Sequence, residues 1–158
     1  MANNLTWTAL KFGKYEGKTL PQVVLIDPDY FFWGFEIGIF RPPQQDAEAE
    51  EIAYRARHIK IPKPDPANWR IEYYVTLDGK FAGFSIEEAQ YPIMEPFQTQ
   101  TGAFLDLSFP RSLKGYDKLG NKLMIDKFRE YYSGGLMLTK EKCESFFYRG
   151  QNFVWGDT

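Results

Sequence analysis

The sequence predicts an α+β protein, in which a small helical N-terminal module is followed by an antiparallel sheet covered by one long helix. Three observations support this class. A glycine loop at residues 13–17 leads into two short helix signals, residues 69–86 hold two strand signals around a hairpin turn, and residues 116–132 have helical periodicity. The predicted boundary separates an N-terminal module (1–63) from an α+β part (64–158).

Length and composition restrict the class of protein and its location. The 158 residues suffice for one domain or a small two-lobed one. A single cysteine excludes an internal disulfide framework and is typical of the reducing cytoplasm. The N-terminus lacks the pattern of a signal peptide, and no apolar run approaches the roughly 20 residues of a membrane helix. We therefore expect a cytoplasmic protein that does not bind membranes, located in the host cytoplasm if a phage encodes it.

The N-terminal module is predicted to begin with a short strand at residues 6–12 that leads into the glycine loop. Gly13 and Gly17 suit a tight turn, because glycine adopts backbone angles that other residues resist. Thr19 then caps a short helix, and Gln22 can return the hydrogen bond in a capping box.

A second short helix is predicted directly after the first. Asp27 is its expected N-cap and Pro28 its first helical residue, while Gly38 is expected to end it. Large aromatic side chains bury much area, so this helix is expected to anchor the module. The anchoring residues are Tyr30, Phe31, Trp33 and Phe35.

A third helix is predicted from Asp46 to His58, and the three prolines that follow within residues 62–66 mark the boundary between the two parts. His58 has no partner for catalysis and is expected to be exposed or to cap the helix. The glutamates of the first turn favour the helix dipole and are expected to be surface residues instead of metal ligands. The residues expected on the apolar side are Ala49, Ile52, Ala53 and Ala56.

Beyond the boundary the pattern changes to strands. Residues 69–76 and 81–86 flank an Asp78-Gly79 turn signal, and residues 104–109 are predicted as the third strand, after a loop over 91–102.

A helix over residues 116–132 is predicted to cover this sheet, with five side chains inwards. Thr139 is the expected cap of a last short helix, in which Cys143 is a core residue. The final segment, residues 153–155, either packs back or extends into solvent. The five residues expected to face the sheet are Leu119, Leu123, Phe128, Tyr131 and Tyr132.

Two blocks of the N-terminal module carry a resemblance to a known family. Phe12-Gly13-Lys14-Tyr15 with Gly17-Lys18-Thr19, followed by Asp27-Pro28 with Tyr30 and Trp33, resembles the small module at the C-terminus of exodeoxyribonuclease X. The resemblance covers about the first 40 residues. It implies an accessory module that touches nucleic acid, with Tyr30 and Trp33 holding the module together. Nuclease activity is not implied, because that enzyme carries its acidic metal ligands in a separate domain.

The remainder of the chain is similar to phage and prophage proteins of uncharacterised function that carry the same opening module. The segments that carry this likeness are residues 105–111 and 116–123. The likeness implies no activity.

The sequence contains no pattern typical of a catalytic or metal site. Gly17-Lys18-Thr19 ends like a phosphate-binding loop, but that motif requires four residues between its glycines and Gly13 to Gly17 encloses three. Metal-ligand spacings, a nucleophile elbow and a Cys/His pair are also missing. We therefore predict a non-enzymatic protein without catalytic residues, cofactor or metal.

Charge is distributed unevenly along the chain. The net charge is −2, which argues against strong indiscriminate binding to nucleic acid. Residues 64–110 carry two basic and seven acidic side chains, whereas residues 111–149 carry nine basic and five acidic ones. Such asymmetry permits a local basic face, and a solvated helix surface gives the same count.

Two hypotheses about function remain. The first is a nucleic-acid-binding accessory protein, with lysines on phosphates and a tyrosine that either stacks on a base of single-stranded DNA or packs under its own loop. The second is an effector or adaptor that binds a host or phage protein. Steep loss of binding with salt distinguishes the first from the second. The sequence leaves the oligomeric state open. The predicted nucleic-acid contacts are Lys11, Lys14, Tyr15, Lys18, Arg57, Lys60, Lys118 and Lys122, with Arg111 and Lys114 extending the track.

Overall fold

The structure is a computed structural model that describes residues 7–40, 44–95 and 98–156. Within these ranges three helices precede a three-stranded antiparallel sheet and two helices follow it, which confirms the predicted α+β class. The helices are α1 (Leu20–Ile26), α2 (Pro28–Ile37), α3 (Gln44–Ala56), α4 (Lys118–Tyr132) and α5 (Lys140–Tyr148). The strands are β1 (Trp69–Val75), β2 (Phe81–Glu88) and β3 (Thr99–Gly102), and short 3-10 helices lie at Pro66–Asn68, Phe109–Ser112 and Gly150–Asn152.

Backbone hydrogen bonds close the glycine loop. The Leu10 N–H donates to Lys18 O at 2.9 Å, and the Gly17 N–H donates to Leu10 O at 2.8 Å. Gly17 has a φ of 89°, which glycine adopts readily because it lacks a Cβ. The strand predicted for residues 6–12 is wrong in its described part, where an isolated bridge at Ala9 takes its place; residue 6 lies outside the described residues.

The caps of α1 and α2 follow the local sequence. Gln22 Oε1 accepts a hydrogen bond from the Thr19 N–H at 3.0 Å, and Asp27 Oδ1 accepts one from the Tyr30 N–H at 3.1 Å. Gly38 ends α2 with a φ of 77°. These contacts confirm both predicted helix starts and the predicted stop, because each depends on residues within one or two turns.

The aromatic anchor of α2 is centred on Phe31 and Phe32, which are fully buried. Phe31 stacks on Phe40 with ring centroids 5.5 Å apart. The expectation that Trp33 helps hold the module together is corrected, because its side chain is 44% exposed. Successive helical residues are rotated by about 100°, so two neighbours that point into the core leave the third pointing outwards.

The apolar side predicted for α3 is confirmed, since Ala49, Ile52, Ala53 and Ala56 are all buried. The expectation of an entirely exposed glutamate cluster is wrong for Glu48. Its carboxylate is buried and accepts hydrogen bonds from the Thr8 N–H at 3.0 Å and the Thr8 hydroxyl at 2.7 Å.

The sheet has the strand order β2-β1-β3, with both pairs antiparallel. The β1–β2 hairpin is confirmed with Trp69 opposite Glu88. The third strand is not residues 104–109 but β3, which lies inside the predicted loop and pairs Tyr74 with Thr99. Alternating Leu105 and Leu107 are indeed buried, yet alternation reports burial and not the partner of the backbone.

Helix α4 covers the sheet as predicted. Phe128 is fully buried, and Tyr131 stacks on Phe84 of β2 at 5.6 Å. Leu119 is corrected, because it is 60% exposed, and Met124 is the buried residue that was missed. The register explains both, since residues four apart along the helix share a face and Met124 lies four before Phe128.

Hydrophobic contacts cross the predicted boundary at residue 63. Ile59 exchanges backbone hydrogen bonds with Leu105 at 3.0 and 2.8 Å and forms a bridge with Phe153. All three side chains are buried and belong to one hydrophobic core that also contains residues of α1 and α5. The last segment therefore packs back through Phe153. The division into 1–63 and 64–158 stays a prediction. Among the described residues, no helix has the length and apolarity to cross a membrane.

We expect Phe153→Ala to lower the free energy of unfolding by about 3–5 kcal/mol, because it removes a fully buried ring and leaves a cavity. Denaturant unfolding followed by circular dichroism measures the change. Leu77→Ala is the control; Leu77 is 91% exposed, so its truncation is expected to change the free energy by at most about 0.5 kcal/mol. Equal stabilities of the two variants would show that the last segment is not docked.

Candidate functional site

The side chain of Asp27 connects the glycine loop to α2. Besides capping α2 through Oδ1, it accepts a hydrogen bond on Oδ2 from the Tyr15 hydroxyl at 2.7 Å. The Lys14 ammonium lies 3.4 Å from the same oxygen, while 59% of the lysine side chain stays exposed. The loop that begins after Gly13 is thereby fixed against the start of α2.

Tyr15 packs under its own loop. Its ring meets Tyr30 edge to face, with centroids 5.1 Å apart, and its hydroxyl is engaged by Asp27. Of the two alternatives that the sequence left open, the structure has the packed one. Stacking on a base would require the ring to leave this contact.

Asn121 brings the first turn of α4 to the same carboxylate. Its amide donates to Asp27 Oδ1 at 2.9 Å, and its carbonyl oxygen accepts from the Asp29 N–H at 3.0 Å. The two residues are 94 positions apart in sequence. The one sequence signal that could have indicated Asn121 is weak: it is an amide within a helical segment of mostly charged and apolar residues.

Arg111 forms a second link between the two parts, next to the first. Its guanidinium donates to the carboxylates of Asp29 and Glu36, the latter at 2.7 Å. Burial opposes the charged guanidinium, but these two carboxylates outweigh it and raise the pKa of Arg111. Because both partners belong to α2, this arginine docks the Phe109–Ser112 turn on α2, and its charge is already neutralised locally.

The Asp27 carboxyl is held in its ionised form. Burial by itself would raise its pKa, yet the hydrogen bonds from Tyr15, the Tyr30 N–H and Asn121, together with the Lys14 charge, lower the pKa below its usual value. Burial and the Asp27 hydrogen bond raise the pKa of the Tyr15 hydroxyl, so it stays a donor at neutral pH.

The predicted contact residues fall into separate groups. Lys11 and Lys14 are exposed on the loop, and Lys118 and Lys122 are exposed on α4, three residues before and one after Asn121. Lys118 and Lys122 are four residues apart and share a helix face, and Lys118 is three residues before Asn121. The Asn121 contact places the first turn of α4 against Asp27, beside which Lys14 lies, and we call the surface that carries Lys14, Lys118 and Lys122 the loop face.

The remaining predicted cations lie apart from the loop face. Lys18 is half-buried, and its positive charge opposes the rise in the pKa of the Cys143 thiol in α5. Arg57 lies over the Phe32 ring at 4.6 Å, and Lys60 is bonded through its backbone to Asn152.

Arg55, two residues before Arg57, is not an exposed cation. This residue is buried and donates to Phe147 O at 2.7 Å and to Glu51 at 2.7 Å.

Two residues considered for catalysis have structural partners. His58 is half-buried, stacks on Tyr54 at 4.0 Å and makes a 2.6 Å hydrogen bond through Nδ1 to Tyr54 O. Cys143 is fully buried, and burial raises the pKa of its thiol to about 11. Across residues 7–40, 44–95 and 98–156, no group of three or more His, Cys, Asp or Glu side chains could hold a metal ion.

Comparison with known proteins gives one match. The family model described as exodeoxyribonuclease X-like C-terminal matches residues 10–36. The matched segment contains the loop, α1, Asp27 with its Tyr15 and Tyr30 partners, and nearly all of α2, and it confirms the resemblance of the N-terminal module. Helix α4 and its lysines lie outside the match. No curated protein and no solved structure matches the chain.

We expect Asp27→Asn to lower the free energy of unfolding at neutral pH by about 1–3 kcal/mol, because charge-assisted hydrogen bonds become neutral ones while the helix cap is kept. A carboxyl whose pKa is lowered by folding stabilises the protein above its ordinary pKa of about 3.9, and this contribution disappears as the pH falls through the lower, folded value. The difference between wild type and variant is therefore expected to shrink below about pH 4.

Chemical denaturation at a series of pH values measures this difference. Asp126→Asn is the matched control, because Asp126 pairs with Lys122 on the surface and surface pairs contribute at most about 1 kcal/mol. A difference between wild type and Asp27→Asn that is the same at every pH would contradict the role given to the charge.

Proposed function

We propose that the chain is a non-catalytic accessory protein of phage or prophage type that binds nucleic acid, including single-stranded DNA, in the cytoplasm of the host. The observation that carries the proposal is the contact between Asn121 and Asp27. It places the helix that carries Lys118 and Lys122 against the loop that carries Lys14, and this loop lies in the segment matched by the exodeoxyribonuclease X-like C-terminal model. The loop face thus combines a family-matched segment with cations supplied by the rest of the chain.

The lysines of the loop face are suited to phosphate binding. Lys14 and Lys122 have side chains that are 59% and 71% exposed, and the Lys122–Asp126 pair lies on the surface, where such pairs contribute little. A phosphate can therefore replace Asp126 as the partner of Lys122 at small cost. Three cations on a protein of net charge −2 favour weak, salt-sensitive binding with a dissociation constant on the order of micromolar or above.

Exposed aromatic side chains next to these lysines can stack on bases. Trp33 is 44% exposed and lies 5.7 Å from Tyr30, which contacts Tyr15 and so continues the row towards Lys14. Phe12, 36% exposed, lies on the loop itself. Sequence-tolerant binding of single strands combines cations with aromatic faces, so Trp33 and Phe12 take the stacking role that the sequence analysis gave to Tyr15.

We expect Lys14→Ala combined with Lys118→Ala to weaken binding to single-stranded DNA and to reduce the slope of log K against log salt by about 1–2, since each lost phosphate contact removes about 0.7. Fluorescence anisotropy with labelled single-stranded DNA, duplex DNA and single-stranded RNA at several salt concentrations measures this. Lys127→Ala combined with Lys140→Ala is the control, because it removes the same charge from other positions. Absent binding at low salt, or equal slopes for both variants, would contradict the proposal.

We expect Trp33→Ala to weaken single-strand binding by about 1–3 kcal/mol, the contribution of one stacked base, without changing the salt slope. The same anisotropy titrations separate this effect from that of the lysines. Tyr148→Ala removes a comparably exposed aromatic residue from α5 and is expected to leave affinity unchanged. A Trp33 variant that binds as wild type would remove stacking from the mechanism while leaving the phosphate contacts in place.

A further inference from the structure

A groove of about 680 Å³ lies between the C-terminal half of α4, the turn that follows it, and α5. Its volume is within the range of about 300–1,000 Å³ that is usual for ligand sites. A second cavity of about 200 Å³ continues it and shares Pro62, Tyr132, Phe146 and Asn152 with it. The two form one continuous groove, which no part of the loop face lines.

The floor of the groove is apolar and offers few groups for hydrogen bonding. Tyr132 stacks on Phe128 at 4.8 Å, and Phe146 meets Phe128 edge to face at 5.3 Å. The Tyr132 hydroxyl donates to Lys60 O at 3.0 Å, and the Tyr131 hydroxyl accepts from the Ile86 N–H at 3.3 Å. The Tyr132 hydroxyl is therefore engaged as a donor, and the rings of the floor form a surface for apolar side chains.

One wall of the groove is an exposed apolar turn that is held in place. Leu136 is 60% exposed, yet Arg129 Nε donates to Leu136 O at 3.3 Å and the Ser133 hydroxyl donates to the same oxygen at 2.9 Å. Gly135 is bonded at both ends to Arg129, with its N–H donating to Arg129 O at 2.9 Å and its own oxygen accepting at 3.2 Å. The backbone of this turn is therefore fixed by several hydrogen bonds, and a wall that is already ordered lowers the entropic cost of association.

The rim of the groove is basic. Lys142 and Arg149 line the larger cavity and Lys60 and Lys63 the smaller, whereas Glu141 is the one acidic residue among the described residues that lines either. Lys142 and Arg149 are exposed, so their charges face solvent at the mouth of the groove. An occupant complementary to this surface is anionic at its edges and apolar at its centre.

We propose that this groove binds an acidic peptide segment of a partner protein, with a leucine or aromatic anchor of the peptide inserted between α4 and α5. The floor suits an apolar anchor of a peptide, because its aromatic rings form an apolar surface between α4 and α5. Aliphatic Leu136, Leu138 and Pro62 fit the side chains of a peptide equally well. The site is separate from the loop face and does not depend on the function proposed for it.

Fluorescence polarisation of short labelled peptides tests the proposal. In the test peptides, tryptophan and leucine residues lie between glutamates; control peptides have lysine in place of glutamate, or alanine in place of the apolar residues. We expect the test peptides to bind and both control sets to fail. Lys142→Glu combined with Arg149→Glu is expected to weaken binding by about tenfold or more, because like charges then meet across the interface.

Two further variants keep the result interpretable. Leu136→Ala is expected to weaken peptide binding, while Leu77→Ala, at a residue that is 91% exposed in the hairpin turn, is expected to have no effect. Lys118→Glu combined with Lys122→Glu changes the charge equally on the loop face; it is expected to abolish binding of labelled oligo-thymidine and to leave peptide binding intact.

Three outcomes would overturn the proposal: none of the test peptides binds, the groove variants bind peptide as wild type does, or Lys142→Glu with Arg149→Glu removes oligo-thymidine binding instead of peptide binding. The last would make the groove a nucleic-acid site. If the wild-type protein does not bind oligo-thymidine, the function proposed for the loop face is contradicted, and the peptide result is unaffected.

Discussion

The carboxylate of Asp27 joins three segments that are distant in sequence: the glycine loop, the start of α2 and the first turn of α4. Its two oxygens accept hydrogen bonds from the Tyr15 hydroxyl, the Tyr30 N–H and the Asn121 amide, and Lys14 lies beside them. A carboxylate that is 14% exposed has lost most of its hydration, so these donors must replace the water. Displacement of any segment would leave part of a buried charge without partners, and the position of α4 relative to the loop depends on that penalty.

The proline-rich segment gives the fold its other long-range connection. Ile59, just before the prolines, pairs its backbone with Leu105 on one side and Phe153 on the other, and the chain then bends at residues 62–65 before the 3-10 turn at Pro66–Asn68. Ile59 and Ile61 are both buried. The segment next to the predicted boundary therefore lies in the core, because its alternating isoleucines provide apolar side chains just before the prolines.

Local chemistry was predictable from the sequence and distant partners were not. The caps at Thr19, Asp27 and Thr139, the hairpin and the covering helix all depend on contacts within a few residues, and the structure has them. The β3 strand was missed because its Thr-Gln-Thr-Gly sequence is polar, as an edge strand can be, and carries no hydrophobic alternation. The Asn121 contact could not be found, since nothing near either residue encodes a partner 94 positions away.

Charge segregation explains how a protein of net charge −2 can present basic surfaces. The acidic excess of residues 64–110 is concentrated on and around the sheet, where Glu87 and Glu95 are exposed while Glu72 is buried against Arg70 at 2.6 Å. Most of the exposed cations among the described residues lie on the loop, α4 and α5, while Lys80 and Lys114 lie elsewhere. Because charges in physiological salt are screened over about 8 Å, a ligand at one surface responds to the side chains near it and hardly to the total. The lysines of the loop face and the cations at the rim of the groove can therefore act locally on an acidic protein, while acidic side chains predominate around the sheet.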